Sequence, residues 1–445
     1  MVKKEKYTRQ TVLSKVSDEK VKIIQLWFTD ILGILKCVSI TSNELKEAFD
    51  YGKGFDGSSI TGFAEAEESD IVAKPDPATF QILPWQTDRP RIARLFCDIL
   101  TPEGNPYPGD PRYALKRNIA RAKKMGFRYC VGPELEYFYF KNDKAPEIID
   151  EGTYFEVIPN DLANYLRNQS IKMLEEMGVT VESSHHEVAP SQHEIDPKYD
   201  EALITADNII TCRMVIREIA QRNGVYATFM PKPLLGLNGN GMHLHQSFKQ
   251  GDKNIFFDAD DKYHLSETAK QFIAGQLIHA REICALTAQW VNSYKRLVAG
   301  YEAPVYISWA QRNRTTLIRV PHYHPGNEQA TRTELRCPDP ACNPYLAFSV
   351  MLAAGLEGIE KKYKLPPPVE PNIYKMKMSE IETRKLVALP GSLFEAIQET
   401  EKSRFVKKAL GEHIFNRFLL NKHKEWEDYR IQITSHELKK YLPIL

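Results

Sequence analysis

Residues 229–247 read FMPKPLLGLNGNGMHLHQS, and the rest of the chain is organised around them. Pro231 and Pro233 flank Lys232, an Asn-Gly-Asn-Gly run occupies 238–241, and the stretch ends His243-Leu-His245-Gln-Ser247. Glycine and asparagine tolerate positive φ, and glycine lets a ligand approach the backbone closely. On a strand, residues two apart face the same way, so His243 and His245 share a face. The reading is a bare-backbone loop that feeds a strand with two aligned histidines. A ligand wall fits this pattern, and so does an ordinary hairpin with two hydrogen-bonded histidines.

The spacing of two recurs in Glu134-Leu-Glu136, His185-His186-Glu187 and Glu334-Leu-Arg336, with Glu194 on the segment after Glu187. A half-exposed strand with its polar face in water accounts for any one of these pairs. Glu134, however, lies between Cys130-Val131 and an aromatic run ending at Phe140, which reads as a mostly buried strand. Buried carboxylates require cations or partners. If the strands share a sheet, five glutamates and a histidine line one face, and they repel strongly unless divalent metal neutralises them. Oxygen donors with one or two imidazoles and no thiolate select Mg²⁺ or Mn²⁺ over zinc. Arg296, Arg312, Arg314, Arg319, Arg332 and Arg336 follow within a short span. They read either as a solvated charge run or as anion-binding forks. Alternation with apolar and β-branched residues in 315–321 and 331–338 turns some of them inward. Carboxylates opposite arginines are the layout of phosphoryl transfer, which is mostly positioning and charge neutralisation. Neither a Walker A sequence nor a kinase-type glycine loop is present.

At 445 residues the chain is long enough for two or three domains. A net charge of +1 excludes the electrostatic footprint of a nucleic-acid binder or a polybasic membrane surface. Seven scattered cysteines without a CxxC pair fit free thiols in a reducing cytosol. The first residues, MVKKEKYTRQTVLSKV, have no apolar stretch of a secretory signal, and no run approaches the ~20 apolar residues of a membrane helix. A cytoplasmic protein is expected.

Taken in order, 21–29 and 34–40 predict a hairpin, 41–51 a helix, 52–63 a Gly/Ser-rich loop, and 80–83 and 91–99 further strands. The Pro/Gly-dense stretch 101–111 predicts a domain boundary. Beyond it the pattern predicts helices over 112–125, 161–177, 201–223, 266–288 and 344–363. Strands are expected over 129–140, 179–196, 305–309, 317–321 and 331–336, with a loop over 294–304.

Seven motifs in one order then define a resemblance: FDGSSITGF (55–63), GPELEYF (132–138), HHEVAPSQHEID (185–196), the 229–247 stretch, NSYKRLVAGYEAP (292–304), NRTTLIRVP (313–321) and RTELRCPDPACNPYLAF (332–348). Together they make the chain similar, over almost its full length, to type I glutamine synthetases of the bacterial and archaeal kind. The resemblance implies an α+β fold: a β-grasp-like N-terminal domain (1–104) and a catalytic domain (105–445). The catalytic domain carries a curved antiparallel sheet flanked by helices. It implies two stacked hexameric rings, a dodecamer, with active sites shared between subunits. One metal is implied on Glu136, Glu187 and Glu194, another on Glu134, His243 and Glu334, giving two or more Mg²⁺ or Mn²⁺ per subunit. Tyr199, His245, Ser247, Arg314 and Arg332 are implied to contact ATP, and Asn238, Gly239, Arg296 and Arg336 to hold glutamate. Arg314 and Arg319 would face the transferred phosphate. Asp56 from a neighbouring subunit would bind ammonium, and Glu302 would take its proton. The implied activity is ATP-dependent ligation of ammonium to the glutamate side chain through γ-glutamyl phosphate.

Departures from the family pattern are Ser191 for a glycine, Ala299 for a proline, TAQW at 287–290 without an Asn-Pro, and Glu65 where the feedback-inhibited subgroup carries arginine. No tyrosine stands in the adenylylation-loop pattern, so a non-adenylylated, alpha-like subgroup is expected. His322 and His324 fall in a polar insertion expected to be an exposed loop. Two other readings remain open: a ligase joining glutamate to a polyamine or other amine, which needs a less acidic acceptor pocket, and a non-catalytic, ring-forming protein that binds regulators. Regulatory proteins are compatible partners of the enzyme as well; nucleic acid and membrane are not expected.

Overall fold

The computed structural model describes residues 7–63, 69–85, 90–157 and 161–445. The first sheet is built from β1 (Val21–Thr29), β2 (Leu35–Thr41), β3 (Lys53–Asp56), β4 (Asp70–Pro75), β5 (Gln81–Ile82) and β6 (Arg91–Leu100). Its order is β2-β1-β6-β4-β3, with β5 also on β6, and β1 and β6 run parallel. The period-two pattern of the strands divides the sheet's faces. Ile24, Leu26, Phe28 and Leu95 pack with Val12 and Leu45 of the two short helices of this region. Trp27 and Phe96 point the other way into the large core of the chain, their rings edge to face at 5.8 Å. One face of this sheet therefore covers its own helices and the other is joined to the larger body of the chain.

The body contains β7 (Arg128–Pro133), β8 (Leu135–Phe140), β9 (Val181–His186), β10 (Gln192–Pro197), β11 (Asp200–Glu201), β12 (Tyr226–Thr228), β13 (Leu244–Gln250), β14 (Lys253–Asn254), β15 (Tyr306–Ala310), β16 (Thr316–Arg319) and β17 (Thr333–Leu335). They form two sheets, β12-β8-β10-β9 and β11-β7-β13-β17-β16-β15, with β14 on β13. The expected single sheet is thus two, and the chain passes from one to the other at Glu134, between β7 and β8. Pairing survives the bend: the Glu134 N–H donates to the His243 carbonyl (3.0 Å) and the Glu136 N–H to that of Gly241 (3.3 Å). The surface is a strongly curved antiparallel trough, except that β15 and β16 pair in parallel. Helices pack against its strands. The most apolar of them, Pro344–Glu360, starts at an Asn343 cap and is buried almost all round.

Arg112 bolts the two regions together. Its guanidinium, nearly fully buried, reaches Asp76 (2.9 Å) and Asp98 of the N-terminal region and Asp207 (3.0 Å) of the helix Ala202–Arg222. Local expectations are corrected in three places. Lys53–Asp56 is a strand paired with Asp70–Pro75 rather than loop, because only Phe55 there carries an apolar signal. The helix expected over 266–288 divides into Glu267–Ile278 and Ala280–Thr287 at His279, whose ring stacks on Phe405 at 3.9 Å. Ser293–Arg296 makes one helical turn inside the expected loop. Glu65 lies outside the described residues. Among those described, no helix is long and apolar enough to cross a membrane.

Candidate active site

The trough closes over a cavity of about 510 Å³. Glu134, Glu136, Glu187, Glu194, Asp196, His185, His243 and Glu334 line it together with Arg314, Arg319 and Arg336, with Glu302 at the 294–304 loop and Tyr154 and Phe155 at its rim. The period of two explains the gathering. Glu134 and Glu136 straddle the bend, Glu194 pairs with Glu136 across β8 and β10, and His245 pairs with Glu334 across β13 and β17.

Glu134 is the hinge of one half. His243 Nδ1 lies 2.8 Å from Oε2 and His245 Nε2 2.7 Å from Oε1. Burial alone would raise this carboxyl, but the two histidine contacts hold it well below the ordinary carboxylate range. Arg332 Nε donates to His245 Nδ1 (3.1 Å), which leaves His245 Nε2 as the protonated nitrogen. Glu334 is fully buried, clamped by the Arg319 and Arg336 guanidinium groups. Burial opposes its charge, yet Arg336 leads a set of cations that pulls it down to about 2. Burial and the Arg336 charge lower His243 to about 4, leaving it a neutral donor at pH 7.

The other half has the opposite electrostatics. Burial and the Glu187 charge push Glu136 well above the carboxylate range. Burial pushes Glu194 up in the same way, reinforced by Asp196 and Glu136. Glu187 rises to about 7, through burial and the charges of Glu302 and Glu134, and Asp196 to about 6, mainly through burial. Carboxylates so arranged need a cation. Glu134, His243 and Glu334 bring one ligand atom each within 4.8 Å of one another, and so do His185, Glu187 and Glu194. Oxygen donors with one imidazole per group, and no thiol on the cavity wall, fit hard divalent cations. Glu136 lines the same cavity, its Oε2 taken by Gln192 Nε2 (3.0 Å) and the Gly241 N–H (2.8 Å).

The 238–241 loop closes one end. A Cβ on Gly239 would lie 2.2 Å from the Pro231 carbonyl, and one on Gly241 2.6 Å from Arg296 Nη2. Only glycine lets this backbone pass between the two. Asn238 borders the exposed tip of this loop, while Arg296 is buried beneath it, donating to the carbonyls of Arg336, Cys337 and Pro338 at 2.9–3.2 Å. Glu302 sits at φ +56°, left-handed backbone that a non-glycine residue adopts only under tertiary constraint. Arg332 and Arg319 also border a neighbouring cavity of about 300 Å³, whose wall includes His322, Tyr323 and His324. The two histidines are exposed, as expected, but Tyr323 between them packs its ring, tilted by 52°, against that of His264 (4.5 Å). Tyr199 lies against Gly132 of β7, its hydroxyl 3.2 Å from Lys249 Nζ, and Ser247 is buried on β13 opposite Cys130. Asp56 is not among the cavity residues of its own chain. It is exposed at the end of β3, and hydrogen bonds from the Ser58 hydroxyl (2.7 Å) and N–H (2.8 Å) keep it a carboxylate. Sequence reasoning marked His185 only as the spacing-two partner of Glu187, on no metal, and gave no role to Asp196, Gln192 or Tyr154. His185 and Asp196 stand out because each stands two residues from a site glutamate; Gln192 and Tyr154 arrive only through folding.

Comparison with known proteins agrees with the geometry. Residues 20–102 match the model of the glutamine synthetase beta-Grasp domain, and 108–441 that of the glutamine synthetase catalytic domain. The chain belongs to the glutamine synthetase family. It is 51% identical to the glutamine synthetase of Methanosarcina mazei over 98% of both chains, and 49% identical to that of Mycolicibacterium smegmatis over 98% of this chain and 99% of that one. Among solved structures, Plasmodium falciparum glutamine synthetase superposes with a TM-score of 0.88 at 25% identity, covering 98% of each chain. A GmaS–ADP complex superposes at 0.86 with 31% identity, over 97% of this chain and 99% of that one.

Proposed function

We infer that this chain is a type I glutamine synthetase: it joins ammonium to the side-chain carboxylate of L-glutamate at the expense of ATP, through γ-glutamyl phosphate. The observation that carries this reading is the cavity itself, whose lining brings buried carboxylates and imidazoles together with Arg314, Arg319 and Arg336. Both reactants are anions, and they approach each other only where their charge is neutralised. Glu136, Glu187 and Glu194 would hold one divalent cation, with His185 close at hand, and Glu134, His243 and Glu334 a second. Bound there, Mg²⁺ or Mn²⁺ supplies charge neutralisation and template binding for the phosphates.

The protein's own groups do the rest. His245, Ser247 and Arg332 line the path for ATP, with Tyr199 an adenine neighbour. Asn238, Gly239, Arg296 and Arg336 orient glutamate so that its side-chain oxygen meets the γ-phosphorus. Arg314 and Arg319 receive the charge that develops on the transferred phosphoryl group. Ammonium is no nucleophile until it loses a proton. Asp56 of a neighbouring subunit binds it and Glu302 accepts its proton. The exposed, ionised state of Asp56, away from its own chain's cavity, supports a site completed by a second copy. The assembly is a dodecamer of two stacked hexamers, with a domain division at 104/105 and a cytoplasmic location, the last supported by seven free cysteines.

The test is phosphate release from ATP and glutamate with Mg²⁺, comparing ammonium with putrescine, spermidine and ethylamine. Release with ammonium, with glutamine as product, is expected. Release only with an amine would overturn the assignment in favour of a γ-glutamylamine ligase, and silence with every acceptor in an intact assembly would favour a non-catalytic ring.

A further inference from the structure

Behind the acidic wall lies a second buried group: Asp150, His193 and Ser191, with His186 and Arg167 reaching the cavity lining. Asp150 only accepts. Its Oδ1 takes the Ser191 N–H (3.0 Å), the Gly152 N–H (3.0 Å) and His186 Nε2 (2.7 Å), and its Oδ2 faces His193 Nε2 (3.2 Å). The proton on each imidazole is set by what faces its other nitrogen. His186 Nδ1 meets the Glu187 carbonyl (2.7 Å), an acceptor like the Asp150 Oδ1 at its Nε2, so both nitrogens of this ring face acceptors and both donate when the ring is protonated. His193 Nδ1 meets Arg167 Nη1 (2.8 Å), a donor, so His193 Nε2 carries the hydrogen that Asp150 accepts.

Ser191 completes the group in a way a glycine does not. It is fully buried with φ +61°, the left-handed region that explains why the family pattern carries glycine at this turn. Its hydroxyl oxygen accepts the N–H groups of Ile149 (2.7 Å) and Asp150 (3.1 Å) and lies 3.3 Å from the Asp150 carbonyl. The serine backbone and side chain therefore both grip the 149–150 segment, across the turn that joins β9 to β10. That turn carries Glu187 at one end and Glu194 beyond the other, and the two histidines on Asp150 are their immediate neighbours in sequence. The same segment runs on to Tyr154 and Phe155, whose rings stand edge-on to His185 at 5.3 and 4.5 Å.

We propose that Ser191 and Asp150 are positioning residues: together they fix the β9–β10 turn and so set the divalent-cation affinity of the Glu187–Glu194 half of the site. The inference rests on the reading of the cavity as a metal site. Outer partners of this kind tune metal affinity by about 10–100-fold. Asp150→Asn is not a quiet change, because an amide nitrogen must then face one of two imidazole donors or two backbone N–H groups.

The experiment is Mn²⁺ titration of the full-length, metal-free assembly without substrates, read by electron paramagnetic resonance of free Mn²⁺, with thermal melting in parallel. Ser191→Gly and Ser191→Ala lose the same hydroxyl, but alanine keeps the left-handed strain and melts lower. Both are expected to weaken one class of Mn²⁺ site equally, by about tenfold, and Asp150→Asn by at least as much, while the class assigned to Glu134, His243 and Glu334 is unchanged. Unchanged affinity in all three variants overturns the proposal, as does an affinity that tracks melting temperature rather than loss of the hydroxyl. Wild-type protein that binds no Mn²⁺ removes the metal reading itself; wild-type binding with unaltered variants removes only the brace.

Discussion

Glu334→Gln removes one charge from the driest point of the cavity while keeping its shape. Glu334 is fully buried between Arg319 and Arg336, and its pKa falls from the ordinary 4.5 to about 2. At about 1.4 kcal/mol for each tenfold change, that depression corresponds to roughly 3 kcal/mol of favourable interaction in the folded state. A glutamine accepts one hydrogen bond from the arginines but returns no charge, so most of this is lost and two guanidinium groups face each other across an amide. The pH dependence follows from the sign. A carboxyl whose folded pKa is depressed contributes stability above its unfolded value near 4.5, and loses it as pH falls towards 2. Urea denaturation of the metal-free protein should therefore show a deficit of roughly 3 kcal/mol for the variant at pH 7, narrowing steadily towards pH 3. In the loaded enzyme the same variant should lose phosphoryl transfer. Equal stability at pH 7, or a gap that widens on acidification, would refute the electrostatic account, and full activity would remove Glu334 from the metal set.

Other perturbations test separate parts of the site. Glu187, lifted to about 7 by burial first and then by Glu302 and Glu134, is partly protonated below neutrality, and a metal ion must displace that proton. Mn²⁺ affinity should rise between pH 5.5 and 7 with proton release in calorimetry; a flat profile would contradict this. Gly239→Ala places a Cβ 2.2 Å from the Pro231 carbonyl, so KM for glutamate should rise at least about tenfold with little change in KM for ATP. An unaltered glutamate KM would show that the loop has room to spare. Glu302→Ala should slow amide formation more than γ-glutamyl phosphate formation in single turnovers, and equal loss of both steps would end its role as base. Arg112→Met leaves Asp76, Asp98 and Asp207 facing one another, and should destabilise the folded chain by about 3–5 kcal/mol. A melting temperature within a degree of wild type would mean the clamp is dispensable.

Much of the site was legible before folding because strands have a period of two. Glu134/Glu136, His243/His245 and the sequence neighbours Glu187 and Glu194 announce a shared polar face, and residue chemistry alone restricts its ligand to hard cations and phosphate. The order of seven motifs carried the family, confirmed by matches at 20–102 and 108–441. What periodicity does not encode is which strands become neighbours. That the acidic strands fall into two sheets bent at Glu134, and that Glu334 is neutralised by Arg319 and Arg336 while Glu187 is left to rise to about 7, follow from tertiary packing. A side chain's chemistry is local, but its burial, its partners and hence its protonation depend on groups that are remote along the chain. Ser191 shows the division most plainly: in the sequence it is a departure from glycine, and only the folded turn, with φ +61° and Asp150 beside it, turns that departure into a brace.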